Sequence, residues 1–148
     1  MKKMKRKGTR LARSSSLASL AKIMEILLSP GGCPWDRRQT HATLVKYLKE
    51  ESAEAAQAVR KKDWKNLQEE LGDVLLQVVF HSALARREGL FTLGDVIRTV
   101  NAKMVRRHPH VFGGEKLRGK LKTPAQVLKE WAKINKGEKS LAAKRKKD

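Results

Sequence analysis

The chain has 148 residues, 40% of them hydrophobic, one cysteine and a formal charge of +19 at neutral pH. That is enough apolar material for one buried core, and one cysteine rules out an intramolecular disulfide. The opening MKKMKRKGTRLARSSS lacks the apolar run of a secretion signal, and no stretch approaches the roughly 20 apolar residues of a membrane helix, so no membrane span and a reducing, cytoplasmic setting are expected.

The basic excess lies in the ends: +8 over residues 1–22, +8 over 115–148 and only +3 between them. Residues 1–16 read as a solvated basic tail, 17–135 as one helical domain and 136–148 as a second basic tail. Leu17, Leu20, Ala21, Met24, Leu27 and Leu28 fall on one helical face, which Ser29, Pro30 and two glycines terminate. After the loop GGCPWDRRQ, the spacing predicts a long helix from about Thr40 to Arg60 and another from Asp63 to about Arg87, stopped at Gly89. Asp63 fits an N-cap, accepting from backbone donors that the first turn leaves unpaired. Thr92 caps a fourth helix through about Arg107, and TPAQ at 123–126 opens a short fifth one. There is no period-two strand pattern, so the fold class is all-α.

The second and third helices carry acids where a core face belongs. Leu44, Tyr47, Leu48, Glu51, Ala55 and Ala58 share one stripe, with Glu54 beside it; Asn66, Glu70, Asp73 and Gln77 form a polar strip along Leu67, Leu71, Val74 and Val78. If the helices fold back around Lys62, Glu51 and Asp73 each lie eleven residues from the turn, and Glu54 and Glu70 each lie eight. An antiparallel hairpin then gathers four carboxylates around one point. Glu50 and Glu69 have a lysine four residues before them and read as surface pairs with Lys46 and Lys65, whereas none of the four has Lys or Arg three or four residues away.

Four unpaired carboxylates repel one another unless a cation fills the space between them. An all-oxygen set suits a hard divalent ion, Mg²⁺ above all, whereas one cysteine and four histidines without ligand spacing disfavour zinc. A carboxylate-held ion with open positions points to metal-dependent hydrolysis of phosphoanhydrides.

The segments CPWDRRQTHATLVKYLKEESAEAAQAV, ELGDVLLQVVFHSALARREG and RRHPHVFG, in that order, resemble the MazG family of nucleoside triphosphate pyrophosphohydrolases, within the all-α NTP pyrophosphatase superfamily. EExxE with ExxD alone resembles only the superfamily; CPWD and RRHPHVFG narrow it. The resemblance covers roughly residues 17–135. It implies cleavage of a nucleoside triphosphate between its α and β phosphates and a requirement for Mg²⁺, with Mn²⁺ as a substitute. Glu51, Glu54, Glu70 and Asp73 would be the metal ligands, with Glu51 the first choice as general base and Glu54 the alternative. Lys103 and Arg107 would meet the phosphates, and Trp35 and Trp131 the nucleotide. Ala53 and Gln57 depart from the family pattern, which often has an aromatic and an acid there.

His81 reads as a core histidine, His108 and His110 as structural, and Cys33 as a packed thiol with no activating base nearby in sequence. Val74, Leu75, Val78, Val79 and Phe80 offer apolar surface that a second copy could cover in a four-helix bundle, and the resemblance implies a homodimer or higher homo-oligomer. Packing within one chain by the first and fourth helices is the alternative. The rival reading from another class is a basic helical module that binds nucleic acid through its tails; within the enzyme class it is a phosphoribosyl-ATP pyrophosphohydrolase.

Overall fold

The computed structural model describes residues 8–115 and 119–144. It contains α1 (Leu17–Leu27), α2 (Pro34–Arg37), α3 (His41–Lys61), α4 (Trp64–Arg87), α5 (Leu93–Arg107), α6 (Pro109–Phe112) and α7 (Pro124–Lys144), and no strand among the described residues. None of these helices is long and apolar enough to cross a membrane. The chain divides into two compact units after Val96, so α5 starts in the first and ends in the second.

Helix starts follow from side-chain caps. Ser16 accepts from the Ser19 amide, Thr40 and Thr43 cap each other's backbone, Asp63 accepts from the Asn66 amide, and Thr92 and Asp95 close a reciprocal box. Pro34 at the first position of α2 loses no helical bond. A Cβ at Gly32 would run into the carbonyl oxygens of Ile26 and Leu27, so the turn into CPWD requires glycine.

Two helices end in the same way. Leu90 N–H reaches Ala85 O and Gly89 N–H reaches Arg86 O, with Gly89 at φ 70°. Likewise Asp63 N–H reaches Ala58 O and Lys62 N–H reaches Val59 O, with Lys62 at φ 56°. Both are Schellman endings with a left-handed residue outside the helix. Glycine takes that conformation freely; a lysine pays a steric cost there. Lys62→Gly should therefore stabilise the fold by about 0.5–1 kcal/mol, read as a higher denaturant midpoint with an unchanged slope.

In the first unit α3 and α4 pair as the hairpin, and α1 packs on α4. Met24, Leu44, Val79, Phe80 and Leu84 form the buried cluster, joined by Leu17, Leu20, Ala21, Leu28, Tyr47 and Leu93. Val79 and Phe80, expected among the surfaces open to a second copy, are thus buried within the chain, because α1 lies over them. Leu71 and Leu75 stay 54% and 43% exposed.

The fifth helix is longer than expected: α7 runs through the segment read as a C-terminal tail as far as Lys144. In the expected N-terminal tail, residues 8–12 are helical; residues 1–7 and 145–148 lie outside the described residues.

Candidate metal centre and substrate residues

The hairpin register places the acids. α3 presents Glu51 and α4 presents Glu70 and Asp73, and one carboxylate oxygen from each lies within 4.8 Å of the others. Glu54 is more exposed and is not one of these three, but its charge still acts on Glu51 and Glu70. Among the described residues none of the four acids forms an ion pair with a lysine or arginine.

The electrostatic consequence is direct. Desolvation, then the charges of Asp73, Glu54, Glu70 and Glu50, raise the Glu51 carboxyl above its ordinary value. Desolvation raises Glu70 too, followed by Glu54, Asp73 and Glu69, against a lowering hydrogen bond from Asn66. Three all-oxygen donors in mutual reach, with their charge unanswered by the protein, fit a hard divalent cation that keeps further positions for water or phosphate.

Around this centre, Trp35 in α2 stands edge-on to Tyr47 at a centroid distance of 5.7 Å and is 50% exposed. Tyr47 precedes Glu51 by about one helical turn. Lys46 lies over the Tyr47 ring at 4.6 Å and makes no ion pair with Glu50; the expected Glu69–Lys65 pair is also absent among the described residues. A cavity of about 360 Å³ is lined by His41, Leu48, Gln77, His81 and Phe91, with Leu48 and Gln77 about one turn from Glu51 and Asp73. Gln77 is buried and its Oε1 has no hydrogen-bond partner. His41 and His81 stack and share an Nδ1–Nδ1 hydrogen bond of 2.8 Å, so the expected core histidine is tied to a second histidine forty residues away. A larger cavity, about 580 Å³ between α1, α4 and the start of α5, contains none of the predicted site residues.

The second unit brings Arg107 and Trp131 together. The Trp131 indole N–H donates to the Arg107 carbonyl at 2.7 Å, and His108 meets the same ring edge-on at 5.2 Å. Glu138 receives Arg106 and Arg107 together. Lys103 lies about one turn before Arg107 on α5.

Comparison with known proteins decides the family. Residues 39–112 match the family model described as the MazG nucleotide pyrophosphohydrolase domain, half of the chain and the part containing the whole acidic cluster. The chain belongs to the MazG family. Within it, the chain is 52% identical over 120 residues to the nucleoside triphosphate pyrophosphohydrolase/pyrophosphatase MazG of Thermotoga maritima, covering 81% of this chain and 44% of that protein. It is 39% identical to the nucleoside triphosphate pyrophosphohydrolase of Escherichia coli K12 over 84% of this chain and 46% of that one. The chain therefore spans less than half the length of these curated relatives. A crystal structure of a MazG-related protein from Thermotoga maritima superposes with a TM-score of 0.66 at 32% identity, covering 81% of this chain and 99% of the other.

Sequence reasoning missed Glu138 and the His41–His81 pair. The signal for Glu138 was present: like the four cluster acids, it has no Lys or Arg three or four residues away.

Proposed function

We propose that this MazG-family chain is a divalent-metal-dependent nucleoside triphosphate pyrophosphohydrolase, cleaving between the α and β phosphates to give the nucleoside monophosphate and pyrophosphate. The observation that carries the reading is the cluster of Glu51, Glu70 and Asp73, which has no protein cation among the described residues to balance it. The names of the relatives support the same substrate class.

Glu51, Glu70 and Asp73 would hold Mg²⁺, or Mn²⁺ in its place, with Glu54 at the exposed edge as a fourth ligand. Bound there, such an ion offsets triphosphate charge and lowers the pKa of water. The chain's own groups do the rest. Glu51 is the first choice to take the proton of the attacking water, and Glu54 is the alternative. Lys103 and Arg107 meet the phosphates with positive charge. Trp35 keeps half its surface open for stacking on the nucleoside, and the cavity beyond Leu48 and Gln77 has room for the base. Trp131 spends its N–H on Arg107, so its ring face is what it offers the nucleotide.

Leu71 and Leu75 are surface that a second copy would cover in the homodimer this reading includes. Product analysis by phosphorus NMR tests the cleavage position. Monophosphate and pyrophosphate should appear together, in equal amounts, whereas diphosphate with orthophosphate would contradict attack between α and β.

A further inference from the structure

Glu138 on α7 holds two guanidinium groups of α5. Arg106 Nε donates to Oε1 at 2.7 Å and Arg106 Nη2 lies 2.6 Å from the same oxygen, while Arg107 Nη2 donates to Oε2 at 3.0 Å. Exposed ion pairs usually hold their side chains weakly. Here one carboxylate serves two arginines from 31 and 32 residues away, and the Arg107 and Glu138 side chains are only 23% and 28% exposed.

The Arg107 main chain is fixed as well, by the bond from the Trp131 indole to its carbonyl. Arg107 is therefore held at both ends. Its Nη2 is used by Glu138, yet its Nε is buried without a hydrogen-bond partner. A guanidinium keeps its proton and its fixed fork of five donors, and Nη1, which is not buried and makes no hydrogen bond among the described residues, is the donor left for an arriving anion. Arg106 differs: its side chain is 53% exposed and both its contacting nitrogens go to Glu138.

We propose that Glu138 is a positioning residue for the reaction: it fixes the Arg107 guanidinium so that its unused donors meet a phosphoryl oxygen of the triphosphate, with Arg106 acting as the second arm of the brace. This rests on the pyrophosphohydrolase reading and on Arg107 as a phosphate residue. One carboxylate against two guanidiniums leaves a net positive charge for the substrate. Hydrogen bonds from Arg107 and then Arg106 hold the Glu138 carboxyl below its ordinary value, so the brace stays charged at neutral pH. A prefixed guanidinium has less side-chain freedom to lose when substrate binds.

The test is steady-state pyrophosphate release by the full chain with Mg²⁺ and a nucleoside triphosphate the wild type cleaves. Glu138→Gln should raise KM about tenfold, the scale of one charge-assisted hydrogen bond, with a smaller change in kcat. Glu138→Asp should recover most of that loss. Adding Glu138→Gln to Arg107→Gln should cost nothing further, because the brace then has nothing to hold. Thermal unfolding of each variant corrects the rates for folded fraction. A lower melting temperature with KM unmoved would reduce the pair to a contact that docks α7, and overturn the proposal; so would a fall in KM, or additive losses in the double variant. A wild type that releases pyrophosphate from no triphosphate would overturn the parent reading instead.

Discussion

Asp73→Asn should lower pyrophosphate release by about a hundredfold or more, beyond the 10–100-fold cost of altering even an outer partner of a metal ligand. The substitution keeps volume and helix position while removing one of the three charges within 4.8 Å. Asp73 makes no ion pair among the described residues, so little folding energy is tied to its carboxylate. Glu69→Gln removes the same charge from the exposed side of α4 and serves as the comparison. Its activity should stay close to wild type. Equal losses in both variants would mean that net negative charge matters and a metal geometry does not.

Stability should respond to pH and to metal through the same carboxylates. Glu51 and Glu70 have raised carboxyl pKa values, so the folded chain binds their protons more tightly than the unfolded chain does. Their contribution is fully present below the unfolded glutamate value of about 4.3 and is lost as pH rises through the higher folded values. His81 acts oppositely. Burial and then His41 lower its pKa, so its contribution is present above the unfolded value of about 6.5 and is lost as pH falls through the folded one.

Divalent metal should reverse the carboxylate effect, stabilising the fold by about 2.7 kcal/mol at a hundred times its dissociation constant. The gain should be larger at pH 7.5 than at pH 5, where protons compete for the ligands. Without metal at pH 7.5, Glu51→Gln should be more stable than wild type, since one repelling charge is gone, and should lose most of the metal response. Unfolding curves with Mg²⁺ and with chelator measure both. A Glu51→Gln chain less stable than metal-free wild type, with a full metal response, would contradict a cation-binding role for Glu51.

The helical architecture was legible because its punctuation is local. Asp63 and Thr92 cap where their side chains predict, and Gly89 ends α4. The meeting of Glu51 with Asp73 and Glu70 followed from counting outward from Lys62, since an antiparallel hairpin turns sequence distance into height. Glu54, three residues after Glu51, is exposed and stands outside the three, although Glu70 and Asp73, separated by the same step, are both among them. The length of α7 was hidden because its later residues are basic and lack an apolar stripe. The partners of Glu138 and the pairing of His41 with His81 depend on contacts 31 to 40 residues apart, so the sequence shows that Glu138 lacks a nearby basic partner but not which arginines it meets.

The most direct test compares wild type and Glu51→Gln on a panel of canonical nucleoside triphosphates, with Mg²⁺ and with chelator, following pyrophosphate. The account predicts release by the wild type only when metal is present, and near-complete loss in the variant with its fold retained. Release that survives both chelation and Glu51→Gln, or no release from any triphosphate under any condition, would contradict a catalytic metal cradle at Glu51, Glu70 and Asp73.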